Sequence, residues 1–272
     1  MDSKSLALGV LKGIETHDFE TVAGWFREPP SWNEAGLSQV KSEQTREGLI
    51  ERLAGLAHLA SGGHFVPKTL ILSQDRVATV FVIETSKGRR VARTEGLLVL
   101  GLGGDKILGA TNFINPRAIL VQQGYLNGSF PVIDEVPDSP SVVEGDASFP
   151  EDFESAVFAA YEALSAGYPQ PFQGIIADTC KVVDHLTGFE GIGVDAARRS
   201  LSLASVMKSR KLQFRKVSSM KAKEYLLIQW EISVKGVGFD ILTRADLFRI
   251  ENARIEEVKI FGNGTQLFGL VF

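Results

Sequence analysis

The run from Phe65 to Asn115, FVPKTLILSQDRVATVFVIETSKGRRVARTEGLLVLGLGGDKILGATNFIN, decides the fold. It holds four stretches of strand character, Phe65 to Leu72, Val77 to Thr85, Arg90 to Leu100 and Ile107 to Asn115, separated by Ser73-Gln74-Asp75, Lys87-Gly88 and Gly101 to Asp105. Nothing between them is long enough to be a crossover helix. The strands must therefore run antiparallel, and the fold is α+β rather than α/β. Gly101-Leu102-Gly103-Gly104-Asp105 joins two strands and opens no helix, so it reads as a hairpin turn and not as a phosphate loop.

Upstream of this run lie the helices. Leu6, Val10, Leu11 and Ile14 recur at helical spacing, a short helix follows from Asp18 to Phe26, and a third spans Thr45 to Ala60. Downstream, the order repeats. Helices are expected over Phe153 to Ala166, after Pro171, and over Val194 to Met207. Strands follow near Lys211 to Val217, Glu224 to Val234, Phe239 to Ile250 and Ile255 to Phe261. Lys106-Ile107 precedes Phe113 and Asn115 just as Arg254-Ile255 precedes Phe261 and Asn263, which marks an internal duplication. The final apolar segment, Gln266 to Phe272, reads as an added edge strand.

Between the halves, Phe130 to Glu154 holds four prolines and eight acids without a Lys or Arg, the composition of an extended, solvated linker. The expected organisation is a first domain over residues 1–127, a linker over 128–150 and a second domain over 151–272. Each domain would pack about three helices on a curved, mainly antiparallel sheet, giving two tandem cone-shaped half-barrels with an apolar pocket between sheet and helices.

Composition excludes several classes. With 44% hydrophobic and 23% charged residues and a formal net charge of −4, the chain has a globular profile. Its apolar runs fall far short of the roughly 20 residues that cross a bilayer, so no membrane partner is expected. The N-terminus, with Asp2 at once and no long apolar core, does not read as a secretory signal, and a cytoplasmic address is expected. One cysteine, Cys180, and four scattered histidines suggest neither a disulfide nor a metal site, and no cofactor is expected. Seven basic residues stand between Lys208 and Lys223, but Phe214 is the lone aromatic among them, so nucleic-acid binding by stacking is not supported. The acidic linker offers that basic segment a countercharge within the chain.

The order of elements, with LKGIETHDFETVAGWF and YEALSAGYPQPFQGIIAD, resembles the nuclear transport factor 2-like superfamily, which includes ketosteroid isomerase, limonene-epoxide hydrolase, small polyketide cyclases and many binding domains. The resemblance implies one such domain per half, able to pack as an internal pseudo-dimer. In ADTCKVVDHLTGFEGIGVDAAR, Asp184 falls at the general base of ketosteroid isomerase. In TRADLFRIENARIEEVKIFGN, Asp246 falls at its protonated oxyanion-hole acid. Ala160 stands where the family's tyrosine would lie, and Tyr161, one position along, would point about 100° away. Arg244-x-Asp246 also resembles the limonene-epoxide hydrolase pair, although Ile260 replaces the second Asp expected there.

Alternation places Asp240, Leu242, Arg244, Asp246, Phe248 and Ile250 on one strand face. A carboxyl among such apolar neighbours is costly to ionise and can donate a hydrogen bond as a neutral acid; ketosteroid isomerase is itself the standard example of that behaviour. The competing reading pairs Asp246 with Arg244 at the solvent side. Likewise Asp184 is either a base or a turn-capping carboxylate, and His185 a proton shuttle or a hydrogen-bonded bystander. Tyr161, Arg244, Phe248 and Trp230 are the ligand-binding candidates. In the first half, Glu34 falls near the base, but Leu97 or Leu98 replaces the second acid. Arg93 and Glu95 read as a pocket pair or a cross-strand ion pair, Asn112 and Asn115 as ligand contacts or turn formers. Two functions remain: binding of a small hydrophobic ligand or protein partner without catalysis, or a cofactor-independent isomerase, cyclase or dehydratase acting on an apolar carbonyl compound in the second domain.

Overall fold

The computed structural model describes residues 1–35, 45–60, 63–88, 90–131, 133, 135–166, 168, 172–203, 212–234 and 242–263. The chain divides into two compact units, Met1–Glu144 and Gly145–Phe272.

The first unit opens with helix α1 (Ser3–Glu15), started by Asp2, whose Oδ1 accepts from Ser5 N at 2.7 Å. Its buried stripe is Leu6, Ala7, Val10, Leu11 and Ile14. Gly13 lets α2 (Phe19–Gly24) approach, because a Cβ there would meet Val22 Cγ2 at 2.3 Å. Strand β1 (Trp32–Glu34) and helix α3 (Arg46–Leu59) follow, the helix capped by Thr45 Oγ1 accepting from Gly48 N at 3.1 Å. Then come β2 (His64–Leu72), β3 (Arg76–Lys87), β4 (Arg90–Gly103) and β5 (Lys106–Phe113), joined as antiparallel neighbours. The glycine loop is the expected β4–β5 hairpin turn, with Gly104 at φ +66°.

Three elements depart from the sequence reading. Helix α4 (Pro116–Gln122) follows β5, and Asn115 caps it by accepting from Arg117 N at 3.2 Å, which explains Asn115 without a ligand. Strand β6 (Ser141–Glu144) lies inside the acidic stretch and pairs in parallel with Thr69–Leu72 of β2. Strand β1 likewise pairs in parallel with β5. The sheet order is β1-β5-β4-β3-β2-β6.

The second unit contains α5 (Phe153–Ala166), β7 (Ile176–Asp184), β8 (Phe189–Ile192), α6 (Val194–Leu201), β9 (Leu212–Ala222), β10 (Tyr225–Val234), β11 (Leu242–Glu251) and β12 (Arg254–Gly262). Its sheet order is β8-β7-β12-β11-β10-β9. The helix expected after Pro171 is instead a run of turns at 172–175. Helix α6 gives way to turns after Leu201, at 202–203; the rest of its expected span, Asp240, Lys208, Arg210, Lys211 and the segment Gln266 to Phe272 lie outside the described residues. With six helices and two six-stranded sheets among the described residues, the chain is α+β in both units.

The duplication is visible in the strand pairing. Glu34, Asn112, Leu98 and Thr79 form one row across the first sheet. Asp184, Ile260, Asp246 and Ile228 form the corresponding row across the second. It is therefore Leu98, not Leu97, that stands where Asp246 does.

Candidate functional site

Paired residues on neighbouring strands project from the same face, so the second row carries Asp184 and Asp246 inward, two strand spacings or about 10 Å apart at their Cα atoms. Arg244 projects from the same face two residues before Asp246 and lies opposite Trp230 on β10. Leu242, Phe248 and Ile250, on that face too, belong to the unit's apolar core, as the alternation of β11 anticipates.

Asp246 is wholly buried. Its Oδ2 accepts from Arg244 Nη2 at 2.8 Å and from the hydroxyl of Tyr161, which itself accepts from Arg244 Nη2 at 3.1 Å. Arg244 also donates from Nη1 to the carbonyl of Leu201 at 3.2 Å. The Arg244–Asp246 pair thus exists, but inside the unit and not at its solvent side. Tyr161 reaches it from α5, contrary to the expectation that it points away. Its ring packs among Trp230, Phe214 and Phe172, with centroids 4.4, 4.8 and 5.3 Å away.

Burial pushes the Asp246 carboxyl above the usual range, opposed by Arg244, Tyr161 and the nearby Trp230 indole. Burial, reinforced by Asp246, holds the Tyr161 hydroxyl protonated, so it acts as a donor. Among the described residues, Asp246 Oδ1 and Arg244 Nε are buried without a hydrogen-bond partner, and the Trp230 indole N–H lies beside the Asp246 carboxyl.

Asp184 is buried as well, and both its oxygens are engaged. Oδ1 accepts from Leu186 N and Thr187 N, each at 3.0 Å, and Oδ2 from Thr187 Oγ1 at 2.7 Å. That is the geometry of a carboxylate holding a turn. Burial raises its pKa, while the Thr187 bonds and the charge of Arg244 oppose the rise. His185, the next residue, projects to the opposite face and stacks on Phe261 with centroids 5.0 Å apart. The structure does not bring it to the Tyr161–Arg244–Asp246 cluster. Phe248 and Trp230 are fully buried.

In the first unit, burial raises the Glu34 carboxyl, with Arg52 and Trp32 opposing. Asn112 Oδ1 and Thr79 Oγ1 in its row are buried and have no hydrogen-bond partner among the described residues, and Leu98 supplies no acid. Arg93 pairs with Glu84 at 2.5 Å, and Glu95 with Lys68 at 2.6 Å, rather than with each other. Lys216 and Lys221 of the basic segment bind Glu154 at 2.9 and 2.8 Å, and Arg215 pairs with Glu231. Among the described residues no cluster of three or more His, Cys, Asp or Glu can hold a metal, and no helix is long and apolar enough to cross a membrane.

No protein-family model matches the sequence, and no curated protein matches it either. Solved structures do. A nuclear transport factor 2-like protein of unknown function from Burkholderia pseudomallei aligns over 45% of this chain and 98% of its own, at 12% identity and a TM-score of 0.38. A protein with a ketosteroid isomerase-like fold from Catenulispora acidiphila, solved with trimethylamine, aligns over 46% and 94%, at 17% identity and a TM-score of 0.34. A candidate polyketide cyclase from Sinorhizobium meliloti aligns over 39% and 93%, at 22% identity and a TM-score of 0.33. Each of these takes in less than half of this chain and nearly all of its own.

Proposed function

We propose that this chain is a binding protein for a small apolar ligand and that the acid pair of its second unit is structural. The observation that carries this reading is the closure of the cluster. Tyr161, Arg244 and Asp246 are all fully buried and bond to one another, with Arg244 also held by the Leu201 carbonyl, while Asp184 spends its own bonds on the turn after β7. A general base needs the substrate proton within hydrogen-bond reach, and an oxyanion donor must aim at the substrate oxygen. Asp246 accepts from Tyr161 and Arg244 at Oδ2, so it is not presented as a donor from that atom.

One feature favours an isomerase-type reading instead: among the described residues, Asp246 Oδ1 and Arg244 Nε have no hydrogen-bond partner, and the Trp230 indole N–H lies beside them. An O–H group placed among them could donate to Asp246 Oδ1 and accept from Arg244 Nε. The two readings separate in one experiment. A β,γ-unsaturated cyclic ketone is incubated in D2O with the full chain and with Asp184→Asn, and deuterium uptake is followed by mass spectrometry. Uptake at the buffer rate is expected for both. Uptake above that rate which Asp184→Asn abolishes would establish catalysis and end the structural reading. Native mass spectrometry after exposure to a cell metabolite extract is expected to show a retained small molecule; a complex with another protein would instead make the chain an interaction module.

A further inference from the structure

We infer that Asn127 is a site of spontaneous deamidation, at which the Gly128 nitrogen closes a ring on the Asn127 side chain and Arg117 promotes the closure. The pair lies just after α4, within residues 124–129, an exposed stretch outside any helix or strand. Gly128 has φ +144°, a conformation that residues with a side chain rarely adopt, so the loop keeps glycine where a larger residue would crowd the attack. Neither the Asn127 side chain nor the Gly128 N–H has a hydrogen-bond partner among the described residues, so no bond of that kind has to break before the ring forms.

The step requires the Gly128 nitrogen to give up its proton. That nitrogen shares its peptide group with the Asn127 carbonyl, which accepts from Arg117 Nη2 at 3.4 Å. A positive charge at that oxygen favours the deprotonated peptide group, which is negative there. The nitrogen then bonds to Asn127 Cγ, the Cγ–Nδ2 bond breaks, and the Nδ2 group leaves with the proton as ammonia. The product is a five-membered succinimide. Water opens it at either carbonyl: the original backbone is restored with aspartate, or the main chain runs on through Cγ as isoaspartate, longer by a CH2. Either product adds a negative charge beside Arg117, the residue that promoted it. Asn263-Gly264 repeats the dipeptide and gives an internal contrast, because the Asn263 side chain is buried. Close packing denies it the freedom to swing onto the next nitrogen.

The test is peptide mapping by mass spectrometry of the full chain aged at neutral and at alkaline pH, comparing wild type with Arg117→Gln and Asn127→Gln. The Asn127 peptide is expected to pass through the succinimide, lighter by one ammonia, to paired aspartate and isoaspartate forms, and to do so faster at alkaline pH. The Asn263 peptide is expected to keep its amide. Arg117→Gln should slow conversion at Asn127 about fivefold at low salt, the effect of a unit charge about 4 Å away in water. Asn127→Gln should abolish it, because the ring would need a sixth atom. Neither residue is buried, so the variants keep their fold. In urea, where the fold and the Arg117 contact are gone, both asparagines should convert alike and Arg117→Gln should have no effect. An Asn127 that stays unchanged at alkaline pH, or that converts no faster than Asn263 in the native chain, would overturn the site. A native rate unaltered by Arg117→Gln would overturn the role of Arg117.

Discussion

At the scale of single residues, the second unit depends on a guanidinium that cannot lose its charge and is wholly buried. Removing its partner by Asp246→Ala leaves Arg244 uncompensated and is expected to cost about 3–5 kcal/mol. Tyr161→Phe removes one bond to a buried carboxylate, expected at about 1.5–3 kcal/mol. Urea denaturation of both variants checks the order, and a smaller loss for Asp246→Ala than for Tyr161→Phe would contradict it. Glu154 makes a pH prediction. Burial opposes its ionisation, yet hydrogen bonds from Lys221, Ser219 and Lys216 lower its pKa to about 2, against 4.5 when unfolded. A depressed carboxyl stabilises the fold above the unfolded value and loses that contribution as pH falls towards the folded one. Glu154→Gln is therefore expected to lower stability by about 1 kcal/mol at pH 7, after discount for solvent screening. The gap should close between pH 4.5 and 2, as read by chemical denaturation across that range.

At the scale of elements, most long periodic segments were legible, but the nine-residue β7, whose buried and exposed positions do not alternate, and the shortest strands were not. Leu6, Val10, Leu11 and Ile14 announce α1, and Phe153–Ala166 is helical over the span its pattern indicates. Strands β1 and β6 have three and four residues, too few for alternation to register, and both lie near prolines that read as loop. Asn115-Pro116 reads as a turn, although an N-cap Asn followed by Pro at N1 is equally a helix start. Asn115→Ala should accordingly destabilise the first unit by about 1 kcal/mol without affecting ligand retention; thermal melts with native mass spectrometry test both parts. Within the site, alternation put Arg244 and Asp246 on one face, but depth is not written in a single strand. It took α5 and the Trp230–Phe214 rings to show that the pair lies in the core. Asp184 was recognised as a residue apart, while the two roles open to it differ only in which N–H groups its oxygens meet.

At the scale of the whole molecule, two copies of one architecture have exchanged polar for apolar residues row by row. Where the second unit has Asp246 and Ile260, the first has Leu98 and Asn112. The two interiors are therefore chemically distinct even though their strands correspond. The chain's single thiol belongs to the second interior. Cys180 is buried, and burial, with Glu256 and Glu257 nearby, raises its pKa to about 12. It should stay silent towards a thiol reagent in the native protein and react once the second unit opens, so its labelling rate reports that unit's opening.

The parallel pairing of β6 with β2 gives the acidic stretch a protective duty. Thr69–Leu72 would otherwise present a bare row of N–H and C=O groups at the margin of the first sheet, a template for stacking onto another chain. Pro67 has no N–H to offer such a neighbour, and β6 begins its pairing just beyond it, at Thr69. Ending the first unit at residue 127 would uncover that margin. The segment that looks like a tether is thus the outermost strand of the first sheet, and at four residues it offers another chain far less backbone to pair with than the nine-residue β2 would.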